Sequence, residues 1–64
     1  MPDDNITTVD KLRCAERELR LRYTVFDRLV VEGKMTSQKA AREIKLMEEI
    51  CADYRAQIEA ERLL

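Results

Sequence analysis

Apolar residues recur along this chain at the three- and four-residue spacing of an amphipathic helix, in two runs with one interruption between them. The first run is Val9, Leu12, Ala15, Leu19, Tyr23, Phe26 and Val30, with Leu29 alongside. The second is Ala40, Ile44, Met47, Cys51, Tyr54 and Ile58. Between them stands Gly33, the only glycine, which takes a left-handed helix-ending conformation without a Cβ clash. Thr7 followed by Asp10 has the form of a capping box opening the first helix. After the turn, Thr36 or Ser37 supplies a hydroxyl to open the second. The pattern thus predicts an arm over 1–6, a first helix over 7–32, a turn at 33–36 and a second helix over 37–62.

A connection this short makes the two helices antiparallel neighbours in a single all-α hairpin. In such a hairpin, facing positions sum to about 70. Phe26 then faces Ile44, Tyr23 faces Met47, Leu19 faces Cys51 and Leu12 faces Ile58, each pair apolar on both sides. Two helices of roughly 25 residues make a rod about 37 Å long.

The first helix has more apolar residues than one seam uses. At 100° per residue, Cys14, Leu21 and Val25 cluster to one side of that seam, and Leu46 and Ile50 lie off the seam of the second helix. Leu21, Val25, Leu46 and Ile50 share one level and form an expected apolar patch at mid-rod, with Arg22 beside it. Arg22 follows Glu18 by one turn, the favourable order for a helical ion pair, and is also within range of Glu43. Soluble monomers rarely expose such a patch, so a partner is expected. The simplest is a second copy, giving a homodimeric four-helix bundle; a heterologous protein is the other occupant.

Composition strengthens that expectation. A chain of 64 residues buries only about 60% of its unfolded surface, and small folds of this kind usually add disulfides, a metal or a partner. Two cysteines and no histidine leave association as the leading remedy. Cys14 and Cys51 are offset by about 7 Å along the rod in the hairpin register, too far for easy bridging. Cys51 reads as a small core residue and Cys14 as a surface thiol able to be oxidised. No zinc site is completed within one chain.

Charge is nearly balanced, 12 basic against 13 acidic residues, which gives no global attraction to nucleic acid or to an anionic membrane. Locally, Arg13, Arg17, Arg20 and Arg28 project from the outer face of the first helix, a stripe able to contact phosphates. Asp10, Glu16 and Asp27 flank it and no aromatic residue interleaves it, so a solvated face is the favoured reading. The outer side of the second helix is acidic through Glu48, Glu49, Asp53 and Glu59.

No apolar run approaches the roughly 20 residues of a membrane span, and the acidic start is unlike a secretory signal. A cytoplasmic setting is expected. There is no glycine-rich phosphate loop, no nucleophile–base pair and no pocket expected between two helices to shift a carboxylate pKa. No cofactor, no catalytic residue and no enzymatic activity are therefore expected.

The residues around the turn carry a resemblance. Arg22, Val25, Val30 and the Gly33-Lys34-Met35 bend, followed by Ala40, Glu43-Ile44, Met47-Glu48, Ile50 and Asp53-Tyr54, resemble a group of short, uncharacterised helical-hairpin proteins of proteobacterial genomes and prophages. The likeness spans most of residues 12–64. Phe26, Asp27 and Leu29 stand where that group has tyrosine, proline and tryptophan; without the proline the first helix runs straighter. The resemblance implies a phage or mobile-element setting and no particular activity. Together with the patch, it suggests a small protein-binding or adaptor module, one form of which is a phage-encoded modulator of a host protein. The alternative is a nucleic-acid accessory protein that uses the arginine stripe. Redox sensing through Cys14 across a dimer ranks last.

Overall fold

The computed structural model describes residues 5–63. The expected arm lies mostly outside them: of residues 1–6, only Asn5 and Ile6 are described, and both are exposed. Two helices follow, α1 over Thr8–Val31 and α2 over Ser37–Arg62. Thr7 and Glu32, counted into the first helix by the periodicity, are its N- and C-caps.

Each helix end has a local chemical cause. At the start of α1, the Thr7 hydroxyl accepts from the Asp10 amide at 3.1 Å, and the Thr7 amide donates to the Asp10 carboxylate at 3.0 Å. This reciprocal box satisfies two amide donors that the helix itself leaves without partners. At the other end, Gly33 has φ 75°, the only positive φ among the described residues. Its amide donates to the Val30 carbonyl at 3.0 Å, and the Lys34 amide donates to the Leu29 carbonyl at 2.8 Å. These two bonds make a Schellman stop. Thr36, rather than Ser37, caps α2, its hydroxyl accepting from the Lys39 amide at 3.1 Å.

The helices pack antiparallel as a hairpin, and cross-helix polar contacts mark their register along the rod. Near the open end, the Thr8 hydroxyl donates to Glu61 at 3.2 Å, and Arg55 pairs with Glu16 at 2.9 Å. Further toward the turn, the Tyr23 hydroxyl donates to Glu48 at 2.6 Å. The pairs 16/55 and 23/48 obey the same facing rule as the apolar seam.

The core is small. Among the described residues only Ala15, Ala40 and Cys51 are buried, and Cys51 alone is fully so. Small side chains at these three seam positions let the backbones approach, while the larger seam residues Leu12, Leu19, Phe26, Ile44 and Ile58 remain half-buried. Tyr23, expected in the seam against Met47, is 47% exposed. Its phenol oxygen needs a polar partner, and the ring swings to the rim to reach Glu48.

The Cα atoms span 47 × 31 × 12 Å, so the molecule is one helix layer thick. Stable domains ordinarily bury the apolar face of one layer against a second. The chain exposes 5194 Å² for a mass of 7.5 kDa. A compact monomer of that mass exposes about 4,250 Å². The excess is about 950 Å², comparable to the roughly 800 Å² that one partner contributes to a standard protein interface.

Candidate interaction face

One broad face of the rod carries the apolar residues that the seam leaves over. It holds an open groove near the end opposite the turn, lined by Ile6, Cys14 and Glu18 from one side and Met47, Ile50 and Tyr54 from the other. A smaller depression adjoins it, lined by Leu21, Arg22, Val25 and Phe26, and Glu18 borders both. The structure therefore sets Leu21, Val25 and Arg22 together and places Ile50 in the neighbouring groove. Leu46 lines neither, yet it is exposed on the same flank of α2. Leu21 is 59% exposed, Leu46 43% and Ile50 41%, while Val25 is half-buried.

Arg22 lies flat across the helix pair. One guanidinium nitrogen donates to the Glu43 backbone carbonyl at 2.6 Å and lies 3.8 Å from the Glu43 carboxylate. Its Nε donates to Glu18 at 3.2 Å, the ion pair that the sequence spacing suggests. The guanidinium carbon also stands 5.7 Å from the centre of the Phe26 ring. Arg22 is thus an interhelical clamp forming the floor of the depression, with only a fifth of its side chain exposed. A carbonyl acceptor leaves no trace in the sequence, so spacing could indicate the acids but not this bond.

The arginine stripe is arranged differently. Arg13, Arg17, Arg20 and Arg28 are all exposed, and none forms an ion pair among the described residues. Arg13 acts on Asp10 only at a distance, adding slightly to the lowering of that carboxyl's pKa. The main cause of the lowering is the Thr7 amide hydrogen bond, which favours the charged carboxylate. The Tyr23 phenol shifts the other way: donating to Glu48 pushes its pKa above the ordinary 10.0.

The two thiols occupy opposite environments, Cys14 exposed at the groove and Cys51 buried in the seam, and neither is bridged. Among the described residues, no cluster of cysteine and carboxylate side chains could hold a metal ion. No helix among them is long and apolar enough to cross a membrane. Ile6 and Tyr54 belong to the groove although the sequence pattern did not single them out for it. Ile6 precedes the first helical turn, where periodicity carries no signal, and Tyr54 sits at the seam's edge. No protein-family model matches the chain, and no curated protein and no solved structure matches it either.

Proposed function

We propose that this hairpin is a non-enzymatic protein-interaction module, and that two copies associate through the face bearing Leu21, Val25, Leu46 and Ile50 to form a four-helix bundle. The observation that carries the reading is the unfinished burial: one layer, three small core residues and about 950 Å² more surface than a compact chain of this mass exposes. A second hairpin laid on the exposed face supplies the missing layer at the area cost of an ordinary interface. The decisive experiment is sedimentation equilibrium on the reduced protein. The expected mass is twice the 7.5 kDa of one chain, falling to a single chain in Leu21→Glu. A single-chain mass for the unaltered protein at high concentration refutes the pairing and leaves the face to a heterologous protein.

With that face covered, the charged outer sides remain for any further partner. The likeness of the bend and second helix to prophage hairpin proteins favours a cytoplasmic, phage-encoded modulator of a host protein, tested by co-purification from the host in the presence and absence of Leu21→Glu. One observation favours a second reading: the four stripe arginines are exposed and form no ion pair among the described residues. An accessory role on nucleic-acid phosphates follows from them. It requires salt-sensitive binding that Arg17→Glu/Arg20→Glu abolishes, and no binding to DNA or RNA at low salt rules it out.

A further inference from the structure

At 100° per residue, Arg13, Arg17, Arg20 and Arg28 fall within a sector of about 80° on α1, centred roughly 140° round the helix from the seam. Between positions 13 and 28 that sector holds only these four arginines and Thr24, and all five are exposed. Four acids border it, and three of them are engaged elsewhere. The Asp10 carboxylate accepts from the Thr7 amide at 3.0 Å, Glu16 pairs with Arg55 across the seam at 2.9 Å, and Glu32 pairs with Lys34 at 3.4 Å. Asp27 remains, exposed and about 20° beyond Arg20. The charges of Asp10 and Asp27 thus offset the arginines only at one end and along one edge. An excess of positive charge runs along about 22 Å of helix.

The surroundings of the stripe select among anionic partners. A protein partner needs an apolar core to its interface, and between Arg13 and Arg28 the sector offers no apolar side chain. A single nucleic-acid strand is ordinarily held by aromatic side chains on which its bases stack. The three aromatic residues of this chain are placed elsewhere. Tyr23 is tied to Glu48 at 2.6 Å, Phe26 lies half-buried beneath Arg22, and Tyr54 lines the groove on the other helix. Charge is what the stripe has to offer, and charge favours the denser lattice of phosphates. A duplex carries one negative charge per roughly 1.7 Å of its axis, against about 3.4 Å for either strand alone.

Resting on the nucleic-acid reading above, we infer that the outer face of α1 is a docking strip for the phosphate backbone of a double-stranded nucleic acid, held without regard to base sequence. The four guanidinium groups supply the charge, and the Thr24 hydroxyl can donate to a phosphate oxygen between them. The centre of the strip stands about 80° round α1 from the midpoint of Leu21 and Val25. Pairing of two hairpins through the apolar face therefore leaves that centre open.

The test is fluorescence anisotropy of a labelled DNA duplex of about 20 base pairs, and of one of its strands, titrated with the full chain at about 50 and 200 mM salt. With four phosphate contacts, that rise in salt is expected to weaken duplex binding about 150-fold. Arg17→Gln/Arg20→Gln leaves two contacts and should reduce the loss to about 12-fold. If both strips of a pair engage the duplex, each loss is squared, and the double variant still halves its logarithm. Arg42→Gln/Lys45→Gln removes the same charge from the outer side of α2 and should leave the salt response unchanged. All four residues are exposed, and helical circular dichroism confirms that each variant folds. Equal effects of the two double variants overturn the strip, because net charge rather than position then governs binding. A duplex of unrelated sequence should bind within about twofold, and a larger difference overturns backbone-only contact. Single-strand binding as tight as duplex binding overturns the duplex assignment and leaves the nucleic-acid reading standing. Binding of neither at the lower salt removes both.

Discussion

Replacing Arg22 with alanine removes the clamp that ties the middle of α1 to α2. The charge-assisted bond to the Glu43 carbonyl is short, 2.6 Å, and a fifth of the side chain remains exposed. Bonds involving a charged group contribute about 1.5–3 kcal/mol, and partial exposure places this one at the lower end. The stack on Phe26, at 5.7 Å, adds about 0.5 kcal/mol. The ion pairs at 3.2 and 3.8 Å involve acids that are 47% and 36% exposed, so solvent screening limits them to about 0.5 kcal/mol together. Alanine returns a few tenths through its higher helix propensity. The expected net loss is about 2 kcal/mol, a large share of the roughly 3–10 kcal/mol that a chain of this length commands. Urea unfolding followed by helical circular dichroism, at one fixed protein concentration so that the proposed pairing contributes equally throughout, reads that loss as a lower midpoint with unchanged slope. Arg22→Lys keeps the charge but loses the planar fork and the stack, and it should fall about halfway. A loss below about 0.5 kcal/mol in Arg22→Ala, or one abolished entirely by half-molar salt, would refute the clamp and reduce Arg22 to a solvated surface charge.

Other outcomes follow from the same geometry. Gly33→Ala should cost about 1 kcal/mol in urea unfolding: its φ of 75° strains any side chain, although a Cβ there meets no atom within 4 Å. Gly33→Asn should cost less, and equal midpoints for all three would refute the left-handed stop. The lowered pKa of Asp10 means that the capping box contributes stability fully above the unfolded carboxyl pKa of 3.8 and loses it as pH falls through the lower folded value. Asp10→Asn should flatten that acid limb, and an unchanged limb would refute the assignment. Tyr23 has the opposite sign: its contribution is complete below the unfolded phenol pKa of 10.0 and is lost as pH rises through the higher folded value. Ultraviolet titration should find one of the two tyrosines ionising late, and Glu48→Ala should bring it back toward normal.

What the sequence reveals of this molecule divides by range. The start of both helices and the end of the first were legible because capping and helix termination are local: Thr7 with Asp10, Gly33 before Lys34, and Thr36 act across a few residues and have residue-type preferences. The seam was legible where size and polarity agree, as at Ala15, Ala40 and Cys51. It failed at Tyr23, which an apolar count treats like phenylalanine although its hydroxyl demands an acceptor. The exposure of Leu21, Leu46 and Ile50 was legible as a surplus of apolar residues beyond the seam. The groove that Ile6 and Tyr54 help to line was not, because its shape depends on how the chain enters α1. Arg22 illustrates the remaining gap: the acids one turn away and across the pair can be read from spacing, but its strongest partner is a main-chain oxygen common to every residue type.

The contrast between the two thiols equips the chain with its own gauge of opening. Cys51 has no exposed surface, and the seam must separate before any reagent can reach its sulfur, whereas Cys14 stands in the open on a single hairpin. In Cys14→Ser, the labelling rate of Cys51 divided by that of an unfolded peptide thiol gives the fraction of time the helices spend apart. Under the proposed pairing that fraction falls as protein concentration rises, so its concentration dependence would report pairing and hairpin breathing from one sulfur atom, with no dye or tag added to so small a fold.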